Sequence, residues 1–369
     1  MQRFKEPDVV RGLALFGICV VNVPFMALPF QQVIERQSGF DGVVQFVVEW
    51  LFQGKFFLLF SFLFGWGFAL QMKSKTAGSN PRSRYFRRLA GLLVIGILHA
   101  TLVFFGDILV LYAILGIPLF FVFRLSLRQL IKVAMSFLLV AFILMFILGI
   151  VLSDLATPNA LVDNSNGYLG SFIDAVRARV QDLPSTFSFN LVFNGPLAFS
   201  AFCVGLAAAR CNFFEHGNSY YQAVRSRIWI LLPLGLVGNL LFASGFGGII
   251  SDPILGSIAF ASISFFGPCL STVYLVGAIE ISRNKRFQKG TVAAGRMSLT
   301  CYVLEGILAG LVFNGYGFGL YGSFGAAACF AIAAGIFLCT HLFAHVYLQH
   351  YAMGPLEQVL RRFTYSKHG

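Results

Sequence analysis

Ionisable side chains are scarce in this chain, and those inside its apolar runs fall into a few spaced groups. His99 stands two helical turns before a Gly106-Asp107 corner, so in an antiparallel hairpin it returns to about the level of Tyr112, with Asp107 close above. An imidazole with a carboxylate and a phenol nearby is a workable general base, because the carboxylate fixes the tautomer and supports the imidazolium. A His that bridges two helices by hydrogen bonds accounts for the same residues equally well. Asp8 and Arg11, three apart at the start of an apolar run, share a helical face and can pair, with Arg11 reaching the headgroup level; a topology anchor is the other reading. Asn22 follows Arg11 by three turns on nearly the same side, and a buried amide needs partners. Glu49 and Lys55 flank an interrupted apolar stretch, where they either pair or contact a polar substrate. Glu305 has no sequence-local partner, so it is neutral or paired across helices.

His341 and His345 have the i, i+4 spacing of two zinc ligands, but no third ligand or HExxH context accompanies them, so no metal is expected. Cys19, Cys203, Cys269, Cys301, Cys329 and Cys339 sit singly in apolar runs, where a thiol packs as a small hydrophobe. The 43 Phe are read as packing and lipid-facing surface.

The elements that position these groups follow from composition. Hydrophobic residues make up 57% of the 369 positions and charged ones only 11%, with a mean hydropathy of +0.78, beyond what a water-facing globule tolerates. The solvent is lipid. A hydrocarbon core of about 30 Å needs roughly 20 apolar residues per helix, and many such runs follow one another. The short alternating segments of a closed barrel are absent from the sequence. The formal charge of +12 is dispersed through short links between apolar runs, which argues against a nucleic-acid partner and for the positive-inside pattern.

The expected fold class is all-α: a polytopic helical membrane protein of about ten transmembrane helices, both termini cytoplasmic. A single transmembrane domain fills 1–369, with helices at about 9–28, 56–72, 89–105, 108–123, 130–152, 189–209, 228–246, 254–282, 298–314 and 323–347. Residues 43–55 are expected to form an interfacial or re-entrant segment, since Glu49, Gln53, Gly54 and Lys55 interrupt a run too long for one span. The link from Lys73 to Arg88, with Arg82, Arg84, Arg87 and Arg88, is the densest basic segment and is assigned to the cytoplasm. The acidic link 153–188 is assigned outside, with helical periodicity over Leu169 to Leu183 that suits a lid on the membrane surface. With this helix count only Arg36, Arg177 and Arg179 of the basic residues face outward, and dropping one span would invert every later link. No internal repeat is visible, which disfavours an inverted-repeat transporter.

The motifs in order resemble the YeiB-type (DUF418) family of bacterial inner-membrane proteins. They are Asp8-Val-Val-Arg11-Gly12 with Asn22; Gly54-Lys55-Phe56 through Phe64-Gly65; Arg87-Arg88-Leu89; His99; Gly106-Asp107-Ile108-Leu109 with Tyr112; Ser298-Leu299-Thr300 with Tyr302; and Gly354-Pro355-Leu356-Glu357 with Arg361. That family shows Asn-Tyr and Gln-Ser pairs where this chain has Cys301-Tyr302 and Glu305-Gly306, and a Trp where it has Gln358. It is itself similar to the transmembrane acyltransferases, including the lysosomal heparan-glucosaminide acetyltransferase and the bacterial envelope O-acyltransferases. Asp8, Arg11, Gly12 and Asn22 fit the first helix of the acetyltransferase, and Gly295, Ser298 and Tyr302 fit a late motif of the wider group. Envelope acyltransferases place a His eleven positions after the first-helix Arg; Asn22 stands there in this chain, which leaves His99 as the base.

The resemblance implies transfer of an acyl group, acetyl first, from cytoplasmic acyl-CoA to a hydroxyl or amine of a small-molecule, sugar or lipid-linked acceptor. Arg11, Arg82, Arg84, Arg87 and Arg88 would hold the anionic CoA head group, since Arg suits phosphate. His99 would deprotonate the acceptor, Asp107 and Tyr112 would orient it, and Asp8, Asn22, Glu49, Lys55, Ser298, Tyr302 and Glu305 would line the cavity. The competing reading is a transporter or exporter of a small or lipidic compound, with His99, Asp107, Glu280 and Glu305 as polar points along a path. A homodimer is compatible with either. Topology is open to direct test: a reporter fused after Gly78 is expected to signal from the cytoplasm and one after Asn166 from outside, and equal signals would break the scheme.

Overall fold

The computed structural model describes residues 5–74, 80–154 and 165–365, and every regular element among them is helical. Gly78, Lys75 and the middle of the expected outer link (155–164, with Asp163) lie outside the described residues. In chain order, α1 (Glu6–Ala27), α2 (Phe30–Ile34), α3 (Gly39–Leu51), α4 (Lys55–Lys73), α5 (Pro81–Leu102) and α6 (Leu109–Val122) are followed by α7 (Leu127–Asp154), α8 (Ser165–Leu169), α9 (Phe172–Phe193) and α10 (Gly195–Arg210). The second half holds α11 (Ser219–Arg225), α12 (Ile228–Phe246), α13 (Pro253–Ala261), α14 (Ile263–Ser282), α15 (Lys285–Arg296), α16 (Ser298–Phe313), α17 (Ala326–His350) and α18 (Pro355–Tyr365).

Among the described residues, seven helical stretches are long and apolar enough to cross a membrane: α1, α3 with α4, α5, α7, α12, α13 with α14, and α17. The pair α9 and α10, bent by 49° at Asn194, makes an eighth if taken together. The apolar α6 and α16 hold 14 and 16 residues, about 21 and 24 Å of helix against a core of about 30 Å. The lid expected over Leu169 to Leu183 is divided: Leu169 ends α8, and the part from Phe172 belongs to α9, which runs on to Phe193 and starts at a capping box between Ser171 and Asp174. Trp229 (84% exposed), Val237 (68%) and Leu338 (64%) on α12 and α17 turn large apolar side chains outward, which is stable only against lipid. The protein is a multi-pass membrane protein.

Helix α1 is largely enclosed by its neighbours, and two glycines set its depth. Its start crosses α15 so closely that a Cβ on Gly12 would run into the Thr291 carbonyl and one on Gly295 into the Asp8 carbonyl. Small residues at such crossings let backbones touch, and dispersion rather than water drives the contact in lipid. Between α3 and α4 the chain turns at Gly54, whose φ of +79° is the left-handed conformation that glycine adopts without strain.

The entry to α16 is closed from the far end of the chain. Glu357, on α18, accepts from Leu299 N at 2.9 Å and Thr300 N at 3.1 Å, and its second oxygen takes the Thr300 hydroxyl at 2.5 Å. Two orphan donors of the α16 first turn are thereby satisfied, with the negative charge at the favourable dipole end. A Cβ on Gly354 would overlap the Glu357 carboxylate. Glu357→Ala and Gly354→Ala should therefore each lower the apparent melting temperature in detergent, the former by a loss of about 1–3 kcal/mol; an unchanged melt for Glu357→Ala would show that the cap contributes nothing.

Candidate functional site

Helix α5 begins at an Asn80 cap and Pro81, both helix-starting signals, and ends beside a buried corner. Val103 N and Phe104 N both donate to the His99 carbonyl, at 2.9 Å each, which tightens the last turn. Asp107, in the corner, then works on two neighbours. Its Oδ2 accepts from Val110 N at 2.9 Å, capping the first turn of α6, and its Oδ1 lies 2.8 Å from His99 Nδ1. Both side chains are 1% exposed. With Nδ1–H donating to Asp107, the Nε2 lone pair is left as the free basic position.

A roof covers the corner. Arg179 on α9, almost fully buried, donates to the Leu102 carbonyl at 3.0 Å, an orphan acceptor at the α5 C-terminus, and to the Tyr316 hydroxyl at 3.3 Å. Its guanidinium also lies about 6 Å from the Tyr168 and Tyr316 ring centres. Tyr168 donates to Asp182 at 2.6 Å, and burial together with that bond holds its phenol well above the usual value.

His99 Nε2 is buried without a hydrogen-bond partner. It borders a small cavity, with room for about one water molecule, lined by Cys19, Asn22 and Met26 of α1, and by Tyr302, Glu305 and Gly306 of α16. The Tyr302 ring centre is 4.9 Å from that of His99, and its buried hydroxyl makes no side-chain hydrogen bond. Glu305 Oε1 is 3.4 Å from the Thr340 hydroxyl, while Oε2 has no partner. A Cβ on Gly306 would lie 3.0 Å from His99 Nε2, so glycine keeps the imidazole face open.

The remaining sequence candidates divide. Tyr112 does not serve the imidazole: its hydroxyl is engaged with the Ser61 hydroxyl at 2.7 Å and the Phe57 carbonyl at 3.3 Å on α4, and the phenol against His99 is Tyr302. Asp8 and Arg11 form an ion pair at 3.0 Å. Glu49 pairs with Arg36 at 2.6 Å, not with Lys55, whose buried ammonium donates instead to the Glu49 carbonyl at 2.9 Å. Arg84 is fully buried and donates to the Ser74 carbonyl at 2.5 Å, so it braces the α4–α5 turn. Arg88 donates to Gln71 at 3.1 Å; Arg82 is exposed beside the Phe120 ring, and Arg87 is half-buried. Ser298 opens α16 one turn before Tyr302. Among the described residues no group of three or more His, Cys, Asp or Glu could hold a metal ion, and His341 and His345 stand without a third ligand.

Residues that sequence reasoning passed over are Cys19, Gly306, Thr340, Arg36 and Arg179. Cys19, Asn22, Val23 and Met26 share one face of α1 at i, i+3, i+4 and i+7, a spacing that would have grouped Cys19 with Asn22. Thr340 and Arg36 carry no local signal, because their partners lie on other helices.

Residues 3–171 match the family model described as Heparan-alpha-glucosaminide N-acetyltransferase, catalytic. Residues 208–367 match the one described as Protein of unknown function (DUF418). The chain is thus similar to an acetyltransferase catalytic family in its amino-terminal half and to the DUF418 family in its carboxy-terminal half. Over 99% of its length it is 28% identical to uncharacterized protein YxaH of Bacillus subtilis (strain 168), covering 94% of that relative. It is also 25% identical to uncharacterized protein YeiB of Escherichia coli (strain K12), covering 97%. No solved structure matches it. His99, Asp107 and Asn22 lie in the first matched segment and Tyr302, Glu305 and Gly306 in the second, so the cavity is assembled from both.

The double engagement of Asp107 sets an order of stabilities. Asp107→Ala leaves the Nδ1 and the Val110 N–H unpartnered and is expected to cost about 2–4 kcal/mol, whereas Asp107→Asn keeps an acceptor and should cost about 1 kcal/mol. Thermal unfolding in detergent reads this order; equal melts for both variants would contradict it.

Proposed function

We propose that the protein is an acyl-CoA-dependent acyltransferase of the bacterial inner membrane. It would move an acyl group, acetyl in the first instance, from cytoplasmic acyl-CoA to a hydroxyl or amine of an envelope or lipid-linked acceptor. The observation that carries this reading is the oriented imidazole: His99 is held at Nδ1 by Asp107 and bare at Nε2 on a cavity shared with Asn22, Tyr302 and Glu305. The match of residues 3–171 to an acetyltransferase catalytic model supports the same class.

In the proposed reaction His99 Nε2 takes the acceptor proton as the acceptor oxygen or nitrogen attacks the thioester carbonyl. The Tyr302 hydroxyl and the Asn22 amide supply donors for the oxyanion that develops on that carbonyl. Collapse breaks the carbon–sulfur bond, and the departing thiolate recovers the proton from the imidazolium. Asp107 stabilises that imidazolium, and the phenol beside the ring is Tyr302, not Tyr112, which was expected to orient the acceptor with Asp107. Arg11, Arg82, Arg87 and Arg88 hold the CoA phosphates, with Arg84 bracing the turn behind them. Arg88 precedes His99 by eleven residues of α5, about 16 Å along the axis, the span that the acyl arm covers. On the reading of about ten spans with both termini inside, the Arg end would face the cytoplasm and His99 would lie in the outer half of the bilayer.

The test incubates purified protein with radiolabelled acetyl-CoA and membrane extract. Wild type is expected to transfer label with release of free thiol. His99→Ala should fall to background, and Asp107→Asn should drop by about two or more orders of magnitude because it presents the wrong tautomer. If His99→Ala retains transfer, or if wild type shows neither label transfer nor thioester loss, the enzyme reading fails and transport becomes the better account.

A further inference from the structure

Helix α18 lies at a boundary of the bilayer. The preceding α17 holds 25 residues, about 37 Å of helix against a hydrocarbon core of about 30 Å, so it leaves the core where the chain turns through 351–354 into α18. One face of α18 is packed on α5. A Cβ on Gly91 would lie 3.0 Å from Leu360 and 3.1 Å from Phe363, Thr364 is buried, and the Tyr365 ring centre is 5.8 Å from the Arg84 guanidinium.

The opposite face is open. Val359, Arg362 and Phe363, at i, i+3 and i+4, form one exposed strip, with Val359 40% and Phe363 45% exposed. Arg361 and Tyr365, at i and i+4, form a second, the guanidinium 5.9 Å from the ring centre. Charge decides what covers these strips. The one carboxylate of α18 is Glu357, and both of its oxygens are committed to α16. Arg361 and Arg362 are therefore uncompensated on their own helix, and α5 turns a further guanidinium, Arg84, toward it. A phosphodiester meets that excess with charge-assisted hydrogen bonds that the Arg fork makes bidentate. Val359 and Phe363 beside Arg362 call for a ligand that brings hydrocarbon along with its phosphate, as a lipid does and a soluble phosphate does not. Apolar and basic side chains side by side are what a helix at the headgroup level presents.

We infer that α18 is a docking surface for an anionic phospholipid, with the phosphodiester on Arg361 and Arg362 and the acyl chains along Val359 and Phe363. The bound lipid holds α18 on α5 and so keeps Glu357 on the α16 amides. A lipid that binds the docked helix better than the undocked one shifts the cap by that difference in affinity. Cys301 is a natural reporter: it directly follows Thr300 and is fully buried, so its thiol is reached only when the first turn of α16 opens. Cys329, equally buried, sits near the opposite end of α17 and serves as the internal reference. The inference is independent of the acyl-transfer reading, which places Arg11, Arg82, Arg87 and Arg88 on CoA, and the reporter needs no turnover.

The experiment reconstitutes the full chain in nanodiscs of phosphatidylcholine or of phosphatidylglycerol and follows alkylation of Cys301 and Cys329 by N-ethylmaleimide, resolved by peptide mass spectrometry. The Cys301 rate relative to Cys329 is expected to be at least about fivefold slower in phosphatidylglycerol, the worth of one Arg at an anionic surface. That difference should collapse at about 1 M salt, where the screening length is about 3 Å. The double variant Arg361→Gln with Arg362→Gln should react alike in both lipids, whereas Arg128→Gln, an exposed residue of α7, should keep the wild-type difference. Glycerophosphate added to phosphatidylcholine nanodiscs should leave the rate unchanged. Equal wild-type rates in the two lipids overturn the inference, as does a lipid difference that survives in the double variant or is lost in Arg128→Gln. Slowing by glycerophosphate to the phosphatidylglycerol rate overturns it in favour of a soluble phosphate. Should the double variant fail to fold, the salt series on wild type carries the test, and a difference insensitive to salt refutes the inference.

Discussion

Inside hydrocarbon a polar atom without a protein partner costs several kcal/mol, and the placement of ionisable side chains in this bundle follows from that single constraint. Helix ends are where the backbone itself breaks the rule, with unpaired N–H groups at the start and unpaired carbonyls at the finish. Three buried or half-buried charged residues are spent there. Asp107 closes the start of α6, Arg179 the finish of α5, and Glu357 the start of α16. Against that background the unpartnered atoms His99 Nε2 and Glu305 Oε2 border one cavity.

The same constraint explains why α1 carries so much of the architecture. Its glycine contact with α15 brings the amino-terminal matched segment hard against the carboxy-terminal one, and its next turns then wall the His99 cavity. Neither family match alone contains a complete His99 cavity. The part of α1 that resembles the acetyltransferase supplies Asn22, while the phenol and the second carboxyl arrive from α16.

Much of this was legible in the sequence where the contacts are local. The all-helical membrane class follows from long apolar runs, the Asp8–Arg11 pair from a three-residue spacing, and the His99–Asp107 contact from a corner two turns away. Long-range partners were not legible. Tyr302 lies about two hundred residues from His99, and nothing in either neighbourhood signals that α16 meets the end of α5 at His99. Tyr112 was misjudged for a related reason: being level with His99 says nothing about helix rotation, and the rotation of α6 sends its hydroxyl to Ser61. For Glu49 and Lys55 their proximity in sequence left pairing or substrate contact open, whereas Arg36, from the preceding link, is the partner that reaches the carboxylate. The Ser298-Leu299-Thr300 and Gly354-to-Glu357 motifs, which look unrelated in the chain, are two halves of one helix cap.

That cap ties the cavity to the carboxy-terminal end of the chain. Tyr302 and Glu305 ride on the first two turns of a helix whose opening amides are held by a side chain from α18, a short amphipathic segment with Phe363 and Tyr365 exposed. Loss of α18 would therefore loosen Tyr302 and Glu305, and would also uncover the face of α5 at Gly91 against which Leu360 and Phe363 pack. The tail is a handle on the chamber floor, and anything that grips it, an engineered fusion included, pulls on the same lever.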